Sequence, residues 1–65
     1  MKLAVGGDHA GFLMKESIVK YLESQGHEVT DYGTHSEDPV DFPDIAQFVT
    51  SAILSGDAER GILVC

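Results

Sequence analysis

Three short strand-like runs alternate along this chain with two segments of helical periodicity, and glycine or proline stands at most of the joins. Lys2–Gly6 (KLAVG) and Gly61–Cys65 (GILVC) are nearly unbroken apolar runs of strand length. His27–Tyr32 (HEVTDY) alternates weakly and is rich in β-formers, which predicts another strand. Between the first two strands, Phe12–Gln25 places Met14, Ile18, Tyr21 and Leu22 on one helical face, with Glu16 and Lys20 as an i,i+4 pair on the other side. Gly26 marks its stop. Gly33–Phe42 reads as a polar, acidic loop. Pro43 and Asp44 suit a first helical turn, and Ile45, Phe48, Val49, Ala52 and Ile53 form an apolar stripe that Gly56 closes. Strand, helix, strand, helix, strand with short connections predicts right-handed βαβ units on a parallel sheet, half of a doubly wound α/β fold.

Size and charge narrow the field. A 65-residue chain buries about 60% of the surface its unfolded form exposes. One cysteine excludes a disulfide framework, and no Cys/His spacing of the zinc kind is present. Partner subunits or further chain are therefore expected to complete its stability. The third apolar run would leave an uncovered edge strand, so residues 1–65 read as the N-terminal part of a single larger domain, cut after the third strand. Taken alone, they are expected to fold poorly and to be inactive. Four basic residues against eleven acidic ones, net −7, argue against a nucleic-acid groove or an anionic membrane surface. No apolar run is long enough for a transmembrane helix, and MKLAVGGDHAG lacks the pattern of a signal peptide, which points to the cytoplasm.

In open α/β sheets, ligands bind beyond the carboxyl ends of the strands. That edge should gather the Gly6–Gly11 loop, the acidic second loop and Cys65. GGDHAG leads into a helix N-terminus, where free amides favour an anion. Its glycine spacing is not the dinucleotide fingerprint, and it lacks the lysine of a P-loop. Asp8 reads equally as a helix cap and as a carboxylate facing a hydroxylated ligand. His9 reads as a loop histidine or as a proton-transfer group. His27 and His35 read as structural or solvated. Cys65 serves either as a small buried hydrophobe or as a reactive thiolate. Glu37, Asp38, Asp41 and Asp44 make a solvated acidic loop without calcium-loop geometry, so no metal site is expected.

Taken together and in order, AVGGDHAGFLMK (4–15), YLESQGHEVTDYGTHS (21–36), VDFPDIA (40–46) and SGDAERGILVC (55–65) resemble the N-terminal half of the ribose-5-phosphate isomerase B family, which includes allose- and galactose-6-phosphate isomerases. The resemblance covers essentially the whole chain. It implies a Rossmann-like three-layer α/β/α fold with a parallel sheet, of which these residues supply βαβαβ. It further implies a homodimer or homotetramer with active sites at the subunit interface, and aldose–ketose isomerisation of a sugar phosphate without metal or organic cofactor. Asp8 and His9 match the family's substrate-binding pair. Cys65 matches its general base, which takes a proton from the carbon next to the carbonyl to form an enediolate. Phe42 stands where many members carry tyrosine, and Gly7 occupies a variable position. The family's Gly-Thr-Gly-type loop, ring-opening histidine and phosphate-binding arginines have no counterpart among these residues, since Arg60 lies at the start of the third strand. Two other classes compete: a flavodoxin-like half-module that only binds a phosphorylated ligand, and an inactive fragment.

Overall fold

An unbroken apolar run needs cover on both sides, and Leu3–Val5 finds it. In the computed structural model, which describes residues 1–35 and 40–65, this run lies in β1 (Lys2–Gly7), the middle strand of a parallel sheet. β2 (Glu28–Asp31) flanks it on one side and β3 (Arg60–Val64) on the other. Leu3 pairs in register with Val29 and Arg60, and Val5 with Asp31 and Ile62. Leu3 through Gly7 are buried without alternation, as expected where helices cover both faces of a strand. The expected α/β architecture with three parallel strands is the one observed.

α1 (Phe12–Ser24) links β1 to β2, and α2 (Phe42–Ser55) passes back across β1 to reach β3. Two right-handed crossovers running in opposite directions place the helices on opposite faces. Ala4 belongs to the core that Val49, Ala52 and Ala58 build on the α2 side, with half-buried Tyr32 packed against it. Gly56 ends α2 in the left-handed conformation at φ 87°, which a side chain would oppose. α2 also lies unusually close to the sheet. A Cβ on Gly6 would sit 2.8 Å from Ile45 Cγ2 and 2.9 Å from Val49 Cγ2, and one on Gly61 would sit 2.7 Å from Val49 Cγ1.

The elements differ from the sequence reading in several places. β1 runs on to Gly7, β2 is confined to Glu28–Asp31, and α2 begins at Phe42 rather than Pro43. β3 begins at Arg60 and ends at Val64, so Cys65 lies just past the strand rather than within it. A 3₁₀ turn over His9–Gly11 precedes α1. The face of α1 is also rotated: Met14 and Tyr21, expected inside, are 64% and 63% exposed. Lys15 is wholly buried instead, with Val19 and Leu22 half-buried on the same side. A lysine at the centre of an apolar face lays its hydrocarbon stem on the sheet and sends only its ammonium to a polar partner, which shifts the buried face away from the purely apolar stripe. The expected Glu16–Lys20 pair is not formed, because Glu16 Oε1 approaches Lys15 Nζ at 3.4 Å. In α2 the stripe is narrower than expected, with Ile45, Val49 and Ala52 buried and Phe48 and Ile53 at its exposed margins.

The close approach of α2 is testable. Gly6→Ala forces two branched side chains aside and should cost about 1–3 kcal/mol, the usual range for overpacking. It should appear as a lower urea midpoint at unchanged slope. A variant as stable as the parent would show that α2 has room to retreat.

Candidate active site

Gly7 is the point at which the ends of all three strands meet. Its N–H donates to the Gly33 carbonyl at 2.7 Å, and its own carbonyl accepts from Thr34 N–H at 2.6 Å, carrying the β1–β2 pairing beyond the end of β2. On the other side, Asp8 N–H donates to the Val64 carbonyl at 3.3 Å. The Val64 oxygen lies where side chains would otherwise stand: a Cβ on Gly7 would be 2.5 Å from it and one on Gly11 2.6 Å. Two glycines thus let the turn after β1 rest directly on the last residue of β3, one peptide before Cys65.

Asp8 is the cap of that turn. Its Oδ1 accepts from Ala10 N–H and Gly11 N–H, each at 3.0 Å, and so satisfies two amides that the helical start would leave open. Among the described residues no group donates to its Oδ2. His9 is half-buried on the turn, and its Nδ1 accepts from Val40 N–H at 3.3 Å. A neutral imidazole with Nδ1 accepting carries its proton on Nε2, which makes Nε2–H the donor side of the ring. Cys65 is a free, exposed thiol adjoining Val64. The structure therefore gathers Asp8, His9 and Cys65 at one edge of the sheet, the edge where α/β proteins bind ligands.

Other candidates lie elsewhere. His35 is exposed in the loop after β2, and His27 precedes β2 at the opposite end of the sheet, its Nδ1 buried with no hydrogen-bond partner among the described residues. Arg60 opens β3 at that same far end, where its Nη1 donates to the Glu59 carbonyl at 3.0 Å. Glu37 and Asp38 fall outside the described residues. Asp41 and Asp44 are exposed at the start of α2, in a shallow cleft with Val40, Ile45 and Phe48 that takes in none of Asp8, His9 or Cys65. Among the described residues no group of three potential ligands is placed to hold a metal ion. Among the described residues no helix is long and apolar enough to cross a membrane.

One feature near this edge escaped the sequence reading. Lys15 Nζ contacts Asp31 Oδ2 at 2.5 Å, and Asp31 Oδ1 accepts from Gly33 N–H at 2.9 Å. The signal was present as a lysine within the stripe Phe12, Val19 and Leu22, with an aspartate at the end of the neighbouring strand.

A parallel βαβαβ sheet with helices on both faces defines an α/β protein of the doubly wound kind, and Asp8, His9 and Cys65 lie beyond the carboxyl ends of its strands. The family model described as Ribose/Galactose Isomerase matches residues 3–65, and the chain belongs to that family. It is 44% identical over 64 residues to ribose-5-phosphate isomerase B of Escherichia coli strain K12, covering 98% of this chain and 43% of that protein. It is 42% identical to a 4-deoxy-4-sulfo-D-erythrose isomerase of a Clostridium species, covering 100% of this chain and 42% of the relative. The solved structure of Clostridium thermocellum ribose-5-phosphate isomerase B superposes with a TM-score of 0.98 at 43% identity, over 100% of this chain and 44% of that one. The chain thus spans less than half the length of the relatives it matches.

The capping role of Asp8 can be separated from any role toward a ligand. Asp8→Ala leaves two amides without their acceptor and should cost about 1 kcal/mol, whereas Asp8→Asn keeps an acceptor and should cost a few tenths at most. Denaturant unfolding of the two variants checks this. Equal losses would show that the cap contributes nothing and that the carboxylate's charge matters instead.

Proposed function

We propose that residues 1–65 supply the N-terminal part of a single sugar-phosphate isomerase domain that interconverts ribose 5-phosphate and ribulose 5-phosphate, or a closely related pair. The observation that carries this reading is the seating of the Asp8–His9 turn on Val64, beside the Cys65 thiol, in a member of the Ribose/Galactose Isomerase family. In the proposed step the Cys65 thiolate takes the proton from the aldose carbon next to the carbonyl, leaving an enediolate. Return of a proton to the neighbouring carbon, with transfer of a proton between the two oxygens, completes the ketose. Electrons are only redistributed within the substrate, so the step needs no external oxidant or reductant. Asp8 Oδ2 and His9 Nε2–H are the groups offered to the sugar: the carboxylate oxygen accepts from a hydroxyl, and the imidazole donates to an oxygen.

The same reading takes the protein as a homodimer or homotetramer acting in the cytoplasm on a phosphorylated metabolite of the pentose phosphate pathway. Exposed Leu13, Met14 and Tyr21 on the outer side of α1 support association, because an apolar strip of that kind favours burial. The relatives themselves are named for more than one sugar, ribose 5-phosphate and a sulfo-erythrose, and the family description adds galactose, so four- and six-carbon substrates belong in the test.

The decisive assay follows ribose 5-phosphate conversion by the protein expressed from its own gene, with Cys65→Ala alongside. Loss of a general base should lower kcat by about 10²–10⁴-fold, with the variant still folded. Unchanged conversion would move the base to another residue. Binding of sugar phosphates without conversion of any four-, five- or six-carbon member would overturn the isomerase reading in favour of a binding module.

A further inference from the structure

Lys15 is the buried charge that the proposed reaction does not use. Its side chain has no solvent exposure, its Nζ contacts Asp31 Oδ2 and lies 3.4 Å from Glu16 Oε1, and the ammonium sits 5.4 Å from the centre of the Phe12 ring. So enclosed, it has no path to a ligand. A leucine or methionine would fill the same space on α1 without taking a cation out of water, and replacing buried ion pairs by apolar groups is often neutral or stabilising. What an apolar side chain lacks is a partner fixed in direction.

That direction leads to the candidate site. Asp31 reaches Lys15 in the first turn of α1 through Oδ2, and through Oδ1 accepts from Gly33 N–H. Gly33 and Thr34 clasp Gly7 through two hydrogen bonds of 2.7 and 2.6 Å. Gly7 is bonded covalently to Asp8, Asp8 Oδ1 holds the amides of Ala10 and Gly11, and Gly11 opens the helix that carries Lys15. The contacts close into a ring around the Asp8–His9 turn.

We infer that Lys15 and Asp31 are a positioning pair: they hold the start of α1 against the end of β2, so that the turn presents Asp8 and His9 at a fixed orientation to the sugar. The inference deepens the isomerase reading and rests on it for its kinetic consequence, while its structural consequence stands apart from any activity.

The test uses Lys15→Met, Lys15→Arg and Asp31→Asn in the protein expressed from its own gene, with site-resolved amide exchange and steady-state kinetics as readouts. In Lys15→Met, exchange at Gly7, Ala10, Gly11 and Thr34 should quicken at least about tenfold, while exchange at Val49 and Ala52 in α2 stays as in the parent. With the sugar phosphate that the parent converts, kcat/KM should fall by as much as about 100-fold, the scale of a 1 Å misplacement. Lys15→Arg, which restores a cation, should recover part of both. Asp31→Asn keeps an acceptor for Gly33 but withdraws the charge from Lys15, and should reproduce the Lys15→Met pattern. Uniformly faster exchange along the chain, or unaltered exchange at the four amides, would overturn the inference and leave the pair a plain stability element. Failure of both uncharged variants to fold while Lys15→Arg folds would overturn it in the same way. If the parent converts no sugar phosphate, the exchange pattern still decides the positioning role, and only the isomerase reading falls.

Discussion

The carboxyl edge of this molecule is organised by the carbonyl oxygen of Val64. It stands within about 2.6 Å of where Cβ atoms would lie at both Gly7 and Gly11, so in this chain the absence of a side chain at both positions lets β3 end directly against the turn that follows β1. Nearly everything of chemical interest depends on that contact. It brings residues 8 and 65, far apart in sequence, to neighbouring positions, and it lets Asp8 N–H reach the same oxygen at 3.3 Å. Backbone groups carry the arrangement, which suits a site that must stay rigid while its side chains are left to meet a ligand.

Much of the architecture was legible in the residues because its causes are local. Apolar runs of strand length, helical stripes with Pro43 and Gly56 at their ends, and short connections lead to a parallel sheet by rules of handedness that hardly depend on detail. The order β2-β1-β3 and the gathering of Asp8, His9 and Cys65 at one edge follow from the same rules. What periodicity could not reveal depends on pairs. Lys15 counts as polar in any amphipathic reading of α1, and its burial is explained only by Asp31, sixteen residues on and in another element. Reading α1 without that partner turns the helix toward Met14 and Tyr21, which the structure leaves outside. One element end was displaced for a related reason: whether Gly7 belongs to β1 depends on Gly33 and Thr34.

Asp8 shows why a capping role and a ligand role need not compete. One carboxylate oxygen serves the amides of Ala10 and Gly11, and the other is turned to no donor among the described residues. A carboxylate held this way is oriented before any ligand arrives, so less side-chain freedom is lost on binding. His9 is held similarly, its Nδ1 engaged by Val40 and its opposite nitrogen directed away from that contact.

The burial of Lys15 also has an electrostatic consequence for the surface. The chain has only four basic side chains against eleven acidic ones, and the structure commits one of the four to its interior. Lys2 and Arg60 open β1 and β3 at the far end of the sheet, and Lys20 lies more than a turn along α1 beyond Lys15. No lysine or arginine of this chain is then left at the edge where Asp8, His9 and Cys65 meet. Long-range attraction of a doubly charged anion cannot originate in these residues, whose surroundings repel it on balance. What residues 1–65 present at this edge is a carboxylate, an imidazole and a thiol, groups that act over hydrogen-bond distances rather than through a long-range positive field.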